Sequence, residues 1–420
     1  MAQWMSGHHV NLLQGTAEFF PALEHAMDAA QHDIRMETYI FDFTASGADV
    51  GAALARAALR GVRVQLVVDG VGTGELPADW RERFAAAGVH YQIYNPLGRL
   101  GMLLPSRWRR LHRKLVVVDG GTTQAVAFCG GINVLDDYHD PNHGALDAPR
   151  FDFSVRVRGP LAGNVLDAME RLWQRLQAVN KLRQRDIGAA MTSWVSSRSV
   201  VFSGSHNAKA VVQSMVNDAL AAAMPSSRAA LLLRDNLRNR KRIEQAYLKA
   251  IGEAHHEIII ANAYFLPGGK LRRAIIAAAQ RGVSVKLLLQ GKYEYFMQFH
   301  ASRPVYAALL EAGVEIHEYA ASFLHAKVAV IDAEQPQAWA TVGSSNLDPL
   351  SLLLAREANV VVQGAAFAQA LRARLVLGMN QGGQQISAAD YANRLWLQRM
   401  KERTAYAIMR SMLWLTGNRY

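Results

Sequence analysis

The stretch His112-Arg113-Lys114-Leu115-Val116-Val117-Val118-Asp119 recurs 213 residues later as His325-Ala326-Lys327-Val328-Ala329-Val330-Ile331-Asp332. A glycine turn and an asparagine follow each copy at the same offset, Gly130-Gly131-Ile132-Asn133 and Gly343-Ser344-Ser345-Asn346. A lone His-x-Lys opening a strand carries little information. Two copies with matching glycine and asparagine, inside a longer repeat, carry far more.

The repeat extends outward from these stretches. Ala58–Gly70 resembles Ala279–Gly291, Ala87-Gly88-Val89 resembles Ala312-Gly313-Val314, and Thr38-Tyr39-Ile40-Phe41 resembles Ala263-Tyr264-Phe265-Leu266. The offset drifts up to 225, as loop insertions would cause. Residues 10–180 and 230–380 therefore read as two copies of one domain. Apolar periodicity predicts helices over Phe20–Gln31, Gly51–Arg60 and Trp80–Ala87. It predicts strands over Asp33–Phe43, Val62–Asp69, His90–Tyr94, Leu115–Val118 and Ala125–Cys129. Such alternation predicts an α/β fold with mostly parallel mixed sheets covered by helices. The expected divisions are 1–182, a linker or insertion over 183–230 containing the serine-rich Ser193–Ser205, 231–385, and a C-terminal segment 386–420.

Half of the 420 residues are apolar, so a large core is available, and the formal net charge is +11. That charge suits anionic partners, either nucleic acid or an anionic membrane surface. Cys129 is the only cysteine, which rules out an intrachain disulfide; its apolar setting reads as a small core residue rather than a nucleophile. Met1-Ala2-Gln3-Trp4 does not open a signal peptide, and no apolar run is long enough for a transmembrane helix, so any membrane work is expected to be peripheral. From about Asp390 one long helix is expected. It interleaves Leu395, Trp396, Met400, Ile408 and Trp414 with Arg394, Arg399, Lys401, Arg403 and Arg410. A basic amphipathic helix of this kind suits a membrane surface or packing on the protein body.

His112, Lys114, Asp119, His325, Lys327 and Asp332 form the candidate catalytic set. On a strand, residues i and i+2 face one side, so each His projects beside its Lys. Each Asp lies roughly 23 Å further along a continuous strand at ~3.3 Å per residue, too far to orient its own His, and reads as bracing a turn. Transfer of a phosphoester needs a nucleophile, a general acid, and donors for the anionic oxygens. Histidine supplies the first two near neutral pH; Lys114, Lys327, Asn133 and Asn346 supply the third. Each copy holds half of this set, so two copies face to face are needed. A nucleophilic imidazole also needs a carboxylate on its other nitrogen. Asp152 and Glu357, each shortly after its asparagine, are the candidates, and each could equally be an ordinary surface carboxylate. Metal binding is disfavoured because lysine, not a third ligand, accompanies each histidine.

These residues resemble the paired HKD motifs of the phospholipase D superfamily, and within it bacterial cardiolipin synthases of the short type without transmembrane helices. Supporting stretches are Glu37–Phe41, Asp69–Gly72, Arg110–Lys114, Leu233–Asn236, Ala261–Pro267 and Ser345–Pro349. The first glycine turn departs from the commoner pattern in lacking its serine. The resemblance implies two pseudo-twofold-related α/β/α sandwich domains with one site between them and no metal or cofactor. It implies a two-step transfer through a covalent phosphatidyl-histidine. His112 is then the nucleophile and His325 the general acid and base, roles that sequence does not distinguish from their exchange. It also implies phosphatidylglycerol and other anionic phospholipids as substrates, at the cytoplasmic face of a bacterial membrane. Arg107, Arg109, Arg110 and Arg113 are expected to suit an anionic lipid. A phospholipase D-type hydrolase or a nuclease would use the same chemistry, with the tryptophan-bearing C-terminus favouring lipid over nucleic acid.

Overall fold

The computed structural model describes residues 3–96, 109–140, 143–186, 226–235, 239–293, 300–348 and 355–415. The first half runs β1 (Met5–Gln14), α1 (Gly15–Ala29), β2 (Asp33–Thr38), α2 (Ala45–Leu59), β3 (Arg63–Asp69), α3 (Ala78–Ala87), β4 (His90–Tyr94), β5 (Arg110–Leu111), β6 (Lys114–Val118) and β7 (Val126–Gly130). A small hairpin of β8 (His139–Asp140) and β9 (Gly144–Ala145) follows, then β10 (Phe153–Arg158) and α4 (Leu161–Asp186). The second half repeats the plan with β11 (Ser227–Arg234), α5 (Arg242–Gly252), β12 (Glu257–Asn262), α6 (Gly269–Gln280), β13 (Ser284–Gln290), α7 (Tyr306–Glu311), β14 (Glu315–Tyr319), β15 (Lys327–Ile331), β16 (Trp339–Gly343), β17 (Ala355–Gln363) and α8 (Ala365–Gly382). It ends in β18 (Gly383–Gln385), α9 (Ala388–Ala392) and α10 (Trp396–Leu415).

Strand order is β4-β3-β2-β6-β7-β10-β1 in the first half and β14-β13-β12-β15-β16-β17-β11 in the second, counterpart for counterpart. β1 and β11 pair antiparallel through Met5↔Ala229 and His8↔Ser227, so the two half-sheets join into one. This is the α/β fold with an internal pseudo-twofold that the repeat implies. The sheets are mixed, as expected, but antiparallel pairs rather than parallel ones are in the majority. Within each half-sheet only β2-β3-β4 and β12-β13-β14 run parallel. The reason is connection chemistry. Parallel neighbours need a crossover, which α2, α3, α6 and α7 provide, whereas β6 reaches β7 through the short turn after Asp119 and must reverse.

The apolar runs are continuous because both faces of the central strands are covered. Leu115 and Val117 point into a core shared between the halves with Phe153, Val328, Val330 and Val360, while Val116 and Val118 point into the first half's outer core with Leu23, Ile34 and Leu54. Cys129 lies in the shared core, and burial pushes its thiol up to about 12, which fits a packing role.

Other boundaries shift. β2 ends at Thr38, not Phe43, and both motif histidines precede their strands rather than sit in them. α4 runs to Asp186 and β11 opens at Ser227, so both ends of the expected linker are regular structure; Ser193–Ser205 lies outside the described residues. The C-terminal helix breaks between α9 and α10.

The motif aspartates brace the fold. Asp119 accepts the backbone N–H groups of Gln31, His32 and Asp33 at 2.7–3.2 Å, holding the turn into β2. Asp332 accepts those of His255, His256 and Glu257 at 2.8–2.9 Å, holding the turn into β12. Both residues adopt positive φ (51° and 50°), which aspartate tolerates better than most side chains. Asp332→Ala loses the acceptors and keeps the strained backbone, so it should lower stability by about 2–4 kcal/mol. A chemical denaturation midpoint equal to wild type would refute the bracing role.

Candidate active site

Two short parallel contacts between the halves assemble the site. β5 of the first half pairs with β17 of the second, Arg110 opposite Ala355 and Leu111 opposite Arg356, and His112 N–H donates to Arg356 O at 3.1 Å. The mirror arrangement places Phe151 opposite Leu324, with Phe151 N–H donating to Phe323 O and His325 N–H to Phe151 O, both at 2.9 Å. Each histidine is thereby set beside a carboxylate of the opposite half. His112 Nδ1 meets Glu357 at 3.0–3.1 Å, and His325 Nδ1 meets Asp152 Oδ2 at 2.7 Å. Asp152 and Glu357 are buried, and this is the orienting arrangement their chemistry suggests, but crossed between halves. With Nδ1 engaged, Nε2 of each ring is left for chemistry.

Lys114 and Lys327 are both buried, and each ammonium donates to the backbone carbonyl of its own motif histidine. Burial, reinforced by the charge of Lys327, pulls Lys114 down to about 7. Burial also holds His112 below its ordinary range, against the opposing pull of Glu357. His325 is held well below its range by burial and then by the two lysines. Burial thus holds both imidazoles toward the neutral form at pH 7. Burial raises Asp152 to about 7, with Lys327 opposing. Glu357 and Asp152 offset the repulsion between the two buried lysines only in part, so the cluster favours an added anion. A phosphodiester placed there would draw Lys114 back toward its charged form.

Of the candidate set, His112, Lys114, His325, Lys327, Asp152 and Glu357 converge. Asp119 and Asp332 do not: their carboxylates are committed to backbone at the far ends of β6 and β15. Asn133 Oδ1 accepts from Ile40 N–H at 3.2 Å, which orients its amide; Asn346 is buried, its Oδ1 without a partner among the described residues. Arg113 does not face a lipid: it is 4% exposed, paired with Glu37 at 2.9 Å, and turned toward α4. Arg110 pairs with Asp69, whose other oxygen accepts Leu111 N–H at 2.7 Å and so fixes β5. Arg109 is exposed, and Arg107 lies outside the described residues.

Sequence reasoning assigned no role to three positioning residues. The Tyr39 ring lies 5.0 Å from the His112 ring, tilted by 57°, and under Lys114 Nζ at 5.5 Å. Ser344 donates to Glu357 Oε2 at 2.5 Å. Gly131 occupies Ser344's place in the other half; a Cβ there would stand 2.3 Å from Asp152 Oδ1. The repeat itself carried the signal for all three, since Tyr39 and Tyr264 recur and the Gly131/Ser344 exchange is the visible departure between copies.

The family described as cardiolipin synthase, PLD-like domain, matches residues 23–146 and 247–376. Cardiolipin synthase B of Salmonella typhi is 34% identical over 424 aligned positions, covering 99% of this chain and 91% of that one. Cardiolipin synthase B of Escherichia coli K12 is 32% identical over the same span. Among solved structures, phosphatidylserine synthase of Haemophilus influenzae Rd KW20 superposes with a TM-score of 0.61 at 12% identity, covering 99% of this chain and 96% of that one, a likeness of fold.

The raised Asp152 gives a signed expectation. A carboxyl titrating near 7 in the folded protein holds a proton that the unfolded chain has released by about pH 4. Its contribution to stability is therefore full below about pH 4 and lost as pH rises through about 7. Asp152→Asn should flatten the fall in stability between pH 5 and 7 while lowering turnover at least ~100-fold, because His325 loses its orienting partner. Denaturation midpoints at the two pH values test the first part; a variant with the wild-type slope would refute it.

Proposed function

The chain belongs to the cardiolipin synthase family of phospholipase D-like proteins, and from that premise we propose that it transfers a phosphatidyl group from one phospholipid to the headgroup hydroxyl of phosphatidylglycerol. The observation that carries the reading is the pair of crossed His–carboxylate contacts around Lys114 and Lys327. In the first step Nε2 of His112 attacks the phosphorus. The P–O bond to the leaving headgroup breaks, and the departing alcohol takes the Nε2 proton of His325, whose Nδ1 in turn takes the proton held by the raised Asp152. The enzyme then carries a phosphatidyl-histidine. In the second step His325 removes the proton from the acceptor hydroxyl, that oxygen attacks phosphorus, and the P–N bond breaks. Asp152 and Glu357 fix the ring tautomers, while Lys114, Lys327 and the amides of Asn133 and Asn346 hold the non-bridging oxygens.

This chemistry draws its positive charge from lysines and calls for no metal. Anionic phospholipids are the substrate class, consistent with a net charge of +11. No helix among the described residues is long and apolar enough to cross a membrane, and the proposed attachment is peripheral, at the cytoplasmic face. Hydrolysis, with water as the acceptor, is the same first step diverted in the second.

Purified protein incubated with phosphatidylglycerol vesicles should yield cardiolipin and glycerol. His112→Ala and His325→Ala should each lower the rate by at least about 1000-fold. A parallel incubation with single-stranded DNA should leave it intact. Cleaved DNA with unchanged lipid would overturn the transferase reading.

A further inference from the structure

Among the described residues, five of the ten large apolar side chains left exposed lie between Leu395 and Ile408: Leu395, Trp396, Leu397, Met400 and Ile408. The first two are 73% and 66% exposed. At ~100° per residue, Trp396, Leu397, Met400 and Ile408 fall within an arc of about 120° on α10. The other side of the helix is committed to the body. Glu402 is buried and pairs with Arg394 at 2.7 Å, and Ala405 is 2% exposed within the second half's outer core. The exposed Lys401 and Arg403 flank the apolar arc, one on each side. The helix therefore has two faces with separate tasks, and packing on the body leaves the outward face apolar with a basic rim.

We infer that this outward face of α10 docks on an anionic phospholipid bilayer, inserting Trp396, Leu397 and Met400 while Lys401 and Arg403 meet the lipid phosphates. The inference rests on the phospholipid-substrate reading above. Apolar side chains bordered by lysine and arginine match the two layers of a bilayer surface, acyl carbon below and anionic headgroup above. A protein partner with an acidic rim would need to supply the same two layers, and the phospholipid substrate already does.

The helix is also tied to the catalytic end of the sheet. Arg394 stacks 3.3 Å over the Tyr391 ring, Tyr391 OH donates to Arg303 O, and Arg303 pairs with Glu318 at 2.8 Å. Glu318 stands one residue before the end of β14, parallel to β13. Gln290, the last residue of β13, accepts Leu324 N–H at 2.8 Å, immediately before His325. Docking by α10 would thus set down the edge of the second half from which the His325 loop emerges, so a lipid headgroup need not leave the surface to reach the site.

The test is co-flotation of the full chain with vesicles, which needs no turnover. Wild type should float with phosphatidylglycerol–phosphatidylcholine vesicles and much less with phosphatidylcholine alone. The triple variant Trp396→Ser, Leu397→Ser, Met400→Ser should float at least about tenfold less. Lys401→Glu with Arg403→Glu should remove the preference for the anionic vesicles. All these side chains are exposed, and an unchanged thermal midpoint confirms folding. Turnover of short-chain, monodisperse phosphatidylglycerol should be the same in the triple variant as in wild type. That arm separates the two readings: absence of turnover in wild type would count against the transferase and leave the docking result standing. Flotation of the triple variant equal to wild type would overturn the inference. So would a wild-type dimer in solution that the triple variant converts to monomer, since a second copy would then cover the face.

Discussion

Everything at the site depends on two short parallel contacts between halves, Leu111 beside Arg356 and Leu324 beside Phe151. Each is small, yet each sets a backbone register, and register decides which side chains meet. His112 is anchored through its own N–H to Arg356 O, one residue before Glu357. His325 is anchored to Phe151 O, one residue before Asp152. A shift of one residue in either contact would turn the carboxylate to the opposite face of its strand and leave the imidazole without an orienting partner. Asp69 secures one side by accepting Leu111 N–H, and Gln290 secures the other by accepting Leu324 N–H. The shared core behind them, from Leu115 to Val360, keeps the halves from sliding.

Burial gives the cluster its reactivity and also its cost. The same desolvation that keeps His112 and His325 neutral raises Asp152 and lowers Lys114 toward 7. Each group is moved toward the neutral form that burial favours, so charging it inside the site costs more than in water. An anion between Lys114 and Lys327 relieves the mutual repulsion, so binding of the anion and charging of Lys114 are coupled. The two sides are not equivalent. Glu357 is held by the Ser344 hydroxyl, while Asp152 lies against Gly131 and is held by Phe153 N–H at 2.8 Å. The internal symmetry of the fold therefore stops short of the carboxylates.

The sequence made the residue types of the site readable because each copy supplied a control for the other. His112, Lys114, Asp152 and Glu357 could be named from spacing and from what phosphoester transfer requires. The demotion of Asp119 and Asp332 was readable too, since strand rise alone separates them from their histidines. The crossing of the carboxylates was not readable. It arises from contacts between segments more than 170 residues apart, on which local pattern is silent. Strand direction was misread because the helix alternation of β2-α2-β3-α3-β4 was extended over β6 and β7. The corrective signal was present: the gap from Asp119 to Ala125 is too short for a crossover helix and compels reversal. The C-terminal segment posed a choice between body and membrane that was not a true alternative, because a helix has two sides.

A crossed site changes what each half is worth alone. Had Glu357 and Asp152 oriented the histidine of their own half, a separated half would keep a tuned imidazole and lose only its partner. With the carboxylates exchanged, a separated half keeps neither. Its histidine loses its tautomer, and its carboxylate loses the imidazole that satisfies it in a buried setting. The β1–β11 seam and the shared core would be exposed in the same event. Formation of the site is thus coupled to docking of the halves, and neither can be selected for without the other. Two copies of one domain in a single chain meet that requirement directly, since the tether keeps both halves at high effective concentration and always in the one combination that completes both pairs.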